Sequence, residues 1–507
     1  MINIYEPEIN KYKYSAILAI ESGWISNHGE FIEKSSKKLK EILKVKNIIL
    51  MANGTCATHC LFLSLKYKYP NINTIYVPNN CYVAAWNSLL MEYQKDVIEV
   101  MKMDINTWNI CVNKEYIESL KPNSAVLIVH NLGNIINVPR LKLLRPDIIF
   151  IEDNCEGFTG KYENILSGTS NVSLCSSISF YGNKIITTGE GGAFLTNDDD
   201  VYNYILKVYS QGMSPIRYLH DTHAYNYRMT NIEAAFLFDQ LNDYENIVNN
   251  KKKIFDNYKI LLSSLIVENK ISLFKNEDYT ESSCWIFSIR IINNTKSIIE
   301  TYTFFNKFNI DIRPFFYPIN SHKHLKDIPF DDSIPDILNN EIIMIPSSPS
   351  ISVESQNYVV KIIDLFVSNI DITAINNKNI DLLTRFIDNK IPDTFRYFNN
   401  RSINIINNHI ITLLVVKDNV AFGYAHVDYC KDTNKYWLGI CILPNYQNQG
   451  YGKLLMNYIF QQSDVKKIKQ IYLTVDVINQ NAIKLYKKNK FIQVDFNDKF
   501  ITMLLSQ

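Results

Sequence analysis

Through the first three quarters of the chain, short apolar runs rich in β-branched residues recur with helix-length amphipathic stretches between them. The runs fall at 48–52, 74–77, 125–130, 148–151 and 175–180. Such alternation predicts a mainly parallel sheet wrapped by helices, an α/β fold. In open sheets of this kind ligands gather at the carboxyl ends of the strands, so the residues just after those runs are the first place to look for chemistry.

At 507 residues the chain has length for ~2 to 4 domains. Its 52 Lys and Arg against 51 Asp and Glu give a net charge of +1. No uniform field is available to attract polyphosphate, which argues against a nucleic-acid partner or a polybasic membrane-surface protein. No apolar run approaches the ~20 residues that span a bilayer, and the first residues lack a secretion signal, so the expectation is a cytoplasmic protein with no membrane partner. The nine Cys are scattered without a Cys-x-x-Cys pair or paired Cys/His spacing, so free thiols are expected, with no disulfide framework and no metal site.

The segment 368–379 is polar and Asn-rich, as an interdomain linker would be. The expected organisation is a large domain over 1–370, a linker over 371–379 and a smaller α/β domain over 380–507. In the latter, strand-like runs at 410–416, 420–427 and 436–442 precede a Gly-rich turn and an amphipathic helix.

In the large domain, Ser179-Phe-Tyr-Gly-Asn-Lys184 leaves a strand and enters a loop with three closely spaced glycines. The flanks of Lys184 are apolar and uncharged except for Glu190. Such surroundings can desolvate an ammonium and favour the neutral amine that attacks an aldehyde. Asp153 ends the run at 148–151 and could meet a protonated pyridine nitrogen or simply cap a helix. Asn53-Gly54-Thr55 follows another strand and opens a helix, where free N–H groups suit one phosphate, though the same residues also make an ordinary tight turn.

A lysine, a strand-end carboxylate and a helix-start anion site are the parts needed to hold pyridoxal 5'-phosphate. Residues 1 to about 370 resemble the pyridoxal-phosphate-dependent DegT/DnrJ/EryC1/StrS sugar aminotransferases, in particular their perosamine-synthase-like branch. The resemblance is carried by Ser22-Gly-Trp-Ile-Ser26, Asn53-Gly-Thr55, Asp104-Ile-Asn-Thr-Trp-Asn109, Glu152-Asp153, the Lys184 segment, Asn226-Tyr-Arg-Met229, Arg313-Pro-Phe-Phe316 and Pro346-Ser-Ser-Pro349. It implies that Lys184 binds the cofactor aldehyde as an imine, Asp153 pairs with the pyridinium nitrogen, and Gly54, Thr55 and Ser179 hold the phosphate. Tyr82 stands where the family stacks an aromatic ring on the cofactor; a core tyrosine is the other reading. Asn226 and Arg228 match a segment that reaches into the neighbouring subunit's site, which implies a homodimer. Glu156 occupies a position often Gln or His in the family. The implied reaction moves an amino group from L-glutamate to a nucleotide-linked 4-keto-6-deoxy sugar.

In the small domain, Gln447-Asn-Gln449-Gly450-Tyr-Gly452 follows a strand and precedes the amphipathic helix. Glycines there let successive N–H groups crowd around a phosphate. A Rossmann nucleotide loop would need a third glycine at the right spacing and an acidic residue closing a second strand, and both are missing. Downstream come a strand and Asn481-Ala-Ile-Lys-Leu-Tyr486, ending at Phe491. Together these resemble the GNAT acetyltransferases. By that resemblance the Gln447, Gln449, Gly450 and Gly452 loop binds the pyrophosphate of acetyl-CoA, Asn481 contacts its pantetheine arm, and Tyr486 protonates the departing thiolate; core packing is the other reading of Tyr486. The loop departs from the family pattern at Gln447, commonly Arg, and Lys490 replaces a usual Gly. His426 and Asp428, two apart in one strand, share a face and are candidates for the base that deprotonates the amine.

Acyl transfer from a thioester is strongly favourable and transamination near thermoneutral, so the second reaction would draw the first forward. The expected function is transamination of a nucleotide-linked keto sugar followed by N-acetylation. Two alternatives are an acetyltransferase serving a different amine and a non-catalytic scaffold that keeps both folds.

Overall fold

The computed structural model describes residues 1–330, 332–389, 391–399 and 401–506. By internal contacts it divides into Met1–Val360 and Lys361–Gln507.

The first unit is built on a seven-stranded sheet of Asn47–Met51 (β1), Ile75–Pro78 (β2), Ile98–Met101 (β3), Ala125–Val129 (β4), Ile149–Asp153 (β5), Ser173–Ser179 (β6) and Gly192–Thr196 (β7). Their spatial order is β1-β7-β6-β5-β4-β2-β3. Pairing is parallel except on either side of β7, which runs antiparallel to β1 and β6. The carboxyl ends of β1, β6 and β5 therefore lie on one edge. β4 is buried along its whole length, the mark of a strand covered on both faces, and its sequence reads as a continuous apolar run. The helix Gly54–Lys68 (α1) is buried on nearly every side by Ala57, Cys60, Leu61, Phe62, Leu63 and Leu65. It carries no polar stripe because it lies within the core. Each such buried leucine contributes about 1.5–3 kcal/mol. The edge strand β3, only half buried, was not foreseen from its sequence.

The second unit holds another seven-stranded sheet: Ile370–Ala374 (β8), His409–Lys417 (β9), Val420–Cys430 (β10), Lys435–Ile442 (β11), Gln470–Asp476 (β12), Ile492–Phe496 (β13) and Phe500–Ser506 (β14). Its order is β8-β9-β10-β11-β12-β14-β13. Every pairing is antiparallel except β11 with β12. Helices Ile380–Ile387 (α2), Tyr451–Gln461 (α3) and Gln480–Lys488 (α4) belong to this unit.

Part of the segment expected as a linker is a strand. Residues 370–374 form β8, paired with β9 from Ile370↔Lys417 to Ala374↔Leu413. Ile370 and Ile372 are buried while Asp371 and Thr373 are not, a period-two pattern that the Asn-rich surroundings hid. Residues 361–370, expected in the large domain, group with the second unit. The nine cysteines are free thiols, and no described helix is long and apolar enough to cross a membrane.

Candidate functional site

β1 ends at Met51, and the chain turns through Asn53 into α1. Asn53 is extended, and its side-chain oxygen accepts the Cys56 N–H at 2.9 Å, capping the helix. The N–H groups of Gly54 and Thr55 head a fifteen-residue helix, where backbone donors and the helix dipole favour an anion. A Cβ on Gly54 would lie 2.6 Å from the Ser179 Cβ and 2.8 Å from its Oγ. One on Gly192 would lie 2.5 Å from the Asn53 carbonyl oxygen. The helix start, the end of β6 and the start of β7 thus meet without room for side chains, and Gly54, Thr55 and Ser179 form one cradle.

Asp153 closes β5 and is 8% exposed. No helix follows it; its Oδ1 accepts the Cys155 N–H at 3.1 Å in a local turn, which removes the helix-cap reading. Glu156, three residues on, accepts the Leu132 N–H at 2.8 Å. Burial pushes its carboxyl up to about 7; the Lys184 ammonium opposes that shift and the Asp153 carboxylate adds to it. The lysine and both acids therefore act on one another. Lys184 Nζ stands 3.9 Å from the centre of the Trp285 ring. The loop is held by Trp285 Nε1 donating to the Asn183 carbonyl at 2.9 Å and by the Tyr5 hydroxyl donating to the Lys184 carbonyl at 2.6 Å. Uncharged flanks in sequence did not reveal these neighbours. Trp285 lies about a hundred positions away along the chain, with no local signal to find it.

Tyr82 is 61% exposed, with its ring 6.3 Å from that of Phe316. That excludes the core-tyrosine reading. Its neighbour Cys81 lies within the fields of Asp153 and Glu156. Arg228 bridges to Met51, and Ala52 N–H donates to the Tyr227 carbonyl, so 226–228 runs beside the exit of β1 that leads into the cradle. Arg228 Nη1 donates to Ser210 Oγ at 3.1 Å, while its buried Nε has no partner among the described residues. Asn226 bridges to Ser210.

Glu156 gives a pH signature. Its pKa is about 7 folded against 4.5 unfolded, so between those values the unfolded chain has lost a proton the folded one keeps, and stability falls as pH rises. Relative to Glu156→Gln, the cofactor-free protein should lose about 3 kcal/mol between pH 4.5 and 7. Urea denaturation of both proteins across that window measures it.

In the second unit, Gly450 has φ +83°, a left-handed conformation that favours glycine, and open space lies where its Cβ would be. It precedes α3 directly. Gln447 Nε2 donates to the Ile442 carbonyl at 2.9 Å and Gln449 Nε2 to the Asn445 carbonyl at 3.0 Å, so both side chains brace the loop. Asn481 Nδ2 donates to Asn448 Oδ1 at 3.3 Å, and a Cβ on Gly452 would touch Leu485 at 3.2 Å; the loop and α4 are neighbours. β11 and β12 pair only at Tyr436↔Ile471 and Trp437↔Tyr472, and then part. Tyr486 on α4 is buried; burial raises its hydroxyl pKa, and the nearby Cys441 of β11 adds to the shift. It stays protonated at neutral pH. Lys490, just past the α4 cap, adopts φ +67°. Lys490→Gly should relieve this strain and stabilise the second unit by about 1 kcal/mol. A raised unfolding midpoint in denaturant titration checks it.

His426 and Asp428 share one face of β10 with His409 of β9, their ligand atoms all within 4.8 Å of one another. No paired Cys/His spacing marks this cluster in the sequence, because its residues come from two strands.

Residues 8–364 match the model of the DegT/DnrJ/EryC1/StrS aminotransferase family. The chain belongs to that family. Residues 380–491 of this aminotransferase match the Acetyltransferase (GNAT) family. The chain is 31% identical over 372 residues to GDP-perosamine synthase of Escherichia coli O157:H7, covering 73% of this chain and 99% of that protein. It is also 31% identical to GDP-perosamine synthase of Vibrio cholerae over 345 residues, 64% of this chain and 89% of that one. The solved structure of E. coli GDP-4-keto-6-deoxy-D-mannose-3-dehydratase with bound hydrated PLP shares the fold, with a TM-score of 0.63 at 18% identity, covering 71% of this chain and 99% of that one.

The aminotransferase family depends on pyridoxal phosphate, and the GNAT family uses acetyl-CoA. The residues present fit the first cofactor. Its phosphate suits the helix-start N–H groups of Gly54 and Thr55 beside the Ser179 hydroxyl, and its aldehyde and ring nitrogen suit an amine and a carboxylate near the same sheet edge.

Proposed function

We propose that the chain is a bifunctional nucleotide-sugar enzyme. Its first unit transfers the amino group of L-glutamate to a nucleotide-linked 4-keto-6-deoxy sugar, and its second acetylates the resulting amine from acetyl-CoA. The observation that carries the reading is the grouping of Lys184, Asp153 and Glu156, with the Gly54–Ser179 cradle, in a unit whose similarity to GDP-perosamine synthase spans 99% of that relative.

When bound, pyridoxal phosphate supplies an aldehyde that captures amines and a ring that accepts electron density. Lys184 Nζ would hold that aldehyde and, once released, carry the proton removed from the donor's α-carbon. Asp153 would keep the ring nitrogen protonated. Gly54, Thr55 and Ser179 would bind the phosphate, and Tyr82 would stack on the ring. Asn226 would contact the phosphate from a neighbouring subunit. Supporting a homodimer, the helix Tyr14–Glu21 leaves Tyr14, Ile17, Leu18 and Ile20 exposed, followed by exposed Trp24 and Ile25.

In the second unit, the Gly450 and Gly452 loop with Gln447 and Gln449 would take the pyrophosphate of acetyl-CoA. The gap where β11 leaves β12 offers unpaired backbone groups to the pantetheine arm beside Asn481. Tyr486 would donate its proton to the leaving sulfur.

Incubating the whole protein with GDP-4-keto-6-deoxy-mannose, L-glutamate and acetyl-CoA should yield the acetamido sugar by mass spectrometry. Free amino sugar alone would contradict the coupling, and unchanged keto sugar would contradict the first step.

A further inference from the structure

In the loop after α2 and the strands it meets, four polar side chains form a directed chain. Tyr397 donates its hydroxyl proton to Asp428 Oδ2 at 2.9 Å and lies 2.7 Å from His409 Nε2. His409 Nδ1 lies 2.6 Å from Thr412 Oγ1. With the tyrosine proton given to Asp428, only one neutral arrangement satisfies every link: the Thr412 hydroxyl donates to His409 Nδ1, and His409 Nε2–H donates to the tyrosine oxygen. All the donors point towards Asp428. Two atoms beside this chain have no hydrogen-bond partner among the described residues: Asp428 Oδ1, an acceptor, and, in a residue only 1% exposed, His426 Nδ1, which accepts when the ring proton sits on Nε2. A buried acceptor without a donor costs about 1–3 kcal/mol, so two such atoms on one face of β10 mark a place where a donor binds.

The donor these acceptors suit is a primary ammonium. Hydrogen bonds of about 2.8 Å from one tetrahedral nitrogen set its acceptors about 4.6 Å apart, and one ligand atom from each of His409, His426 and Asp428 lies within 4.8 Å of the others. A zinc ion with bonds of about 2.0–2.1 Å draws its ligands to about 3.4 Å and would have to displace the hydroxyls already holding His409.

The position is right for acyl transfer. His426 lies opposite Gly439 in the β10–β11 register, and a Cβ on Gly439 would be 2.2 Å from the His426 Cε1, so the imidazole rests over bare backbone. Gly439 is two residues past Trp437, where pairing of β11 with β12 stops. Cys441, which acts on Tyr486, is the next residue on that face, about 7 Å along the strand.

Resting on the acetyltransferase reading of this unit, we infer that Asp428 Oδ1 and His426 Nδ1 bind the acceptor as its primary ammonium and that Asp428 removes the proton. Asp428 is then the catalytic base, and Tyr397, His409 and Thr412 are positioning residues. One N–H bond of the ammonium breaks and its proton passes to Asp428 Oδ1. The freed lone pair attacks the thioester carbonyl, the C–N bond forms and the C–S bond breaks. The sulfur takes the Tyr486 hydroxyl proton, and the second proton lost by nitrogen restores that hydroxyl. The products are the amide, free CoA thiol and a protonated Asp428 that releases its proton to water.

The groups facing Asp428 are Tyr397 and Arg401 from the loop, His409 from β9, and His426 and Tyr424 from β10 itself. Burial raises the Asp428 carboxyl and outweighs the Tyr397 hydrogen bond and the Arg401 charge, which lower it. Burial holds His409 down to about 4 and His426 far below its ordinary value. Both imidazoles are therefore neutral, which leaves the carboxylate as the group that takes the proton.

The test is acetyl transfer by the full chain to GDP-perosamine and to UDP- and dTDP-linked 4-amino-4,6-dideoxyhexoses, over a range of pH. Asp428→Asn should lower kcat/KM for the amine by about 10²-fold or more at pH 7, with the deficit closing above about pH 9 as the amine loses its proton unaided. Acetyl-CoA binding and the transamination step should be unchanged. Tyr397→Phe removes a hydrogen bond that lowers the Asp428 pKa, so it should move the acidic limb of the profile to higher pH. Equal transfer by Asp428→Asn, a deficit uniform with pH, or activity lost to a chelator and restored by zinc would overturn the inference alone. No transfer to any of these amines by the unmodified protein would overturn the acetyltransferase reading and the inference with it.

Discussion

Lys184→Ala should abolish amino transfer while leaving acetylation of a supplied amino sugar intact. In the proposed reaction the primary amine would do two jobs: holding the cofactor aldehyde and moving a proton at the donor's α-carbon. Its place over the Trp285 ring, fixed by the Asn183 and Lys184 carbonyl contacts, leaves the alanine variant with a hole and no base. Loss of the proton-transfer role alone is worth about 10²–10⁴-fold. The unmodified protein should be yellow and bleach with L-glutamate, whereas the variant should show no glutamate-dependent bleaching. A variant that still transfers amino groups at more than about a hundredth of the normal rate would exclude Lys184 as the base.

Asp153→Ala should slow the glutamate half-reaction by about 10²–10³-fold with the cofactor still bound, because in the proposed site it would remove a preorganised charge facing the ring where electron density develops. The carboxylate is 8% exposed and fixed by the Cys155 N–H, so little else can replace it. Because the Asp153 charge adds to the upward shift of Glu156, the same substitution should also bring the Glu156 carboxyl below its value of about 7. Single-turnover measurements with glutamate read the first effect, and a pH titration of stability reads the second. An unchanged half-reaction rate would remove Asp153 from the chemistry.

Local patterns revealed the strands that carry the cradle and Asp153. Runs at 48–52 and 148–151 are largely buried on both faces and therefore read as uninterrupted apolar stretches, close to the observed β1 and β5, while 175–180, within β6 and its exit, is buried throughout although three of its six residues are serines. Where burial is one-sided or partial the signal fades, as in β3 and in β8, whose two buried isoleucines are set among asparagines. Sites assembled from distant segments were legible only through motifs. Gly54 and Ser179 meet across about 125 positions, and the close approach that demands glycine is a tertiary fact. Trp285, Tyr397 and His409 belong to no motif, and only the folded chain places them against Lys184 and Asp428.

The proposed sugar amination depends most directly on one covalent attachment. Borohydride reduction of the whole protein with pyridoxal phosphate, followed by proteolysis and peptide mapping, should recover a pyridoxyl group on the peptide containing Lys184 and on no other. Recovery of the label elsewhere, or of none at all, would contradict the sugar-amination mechanism.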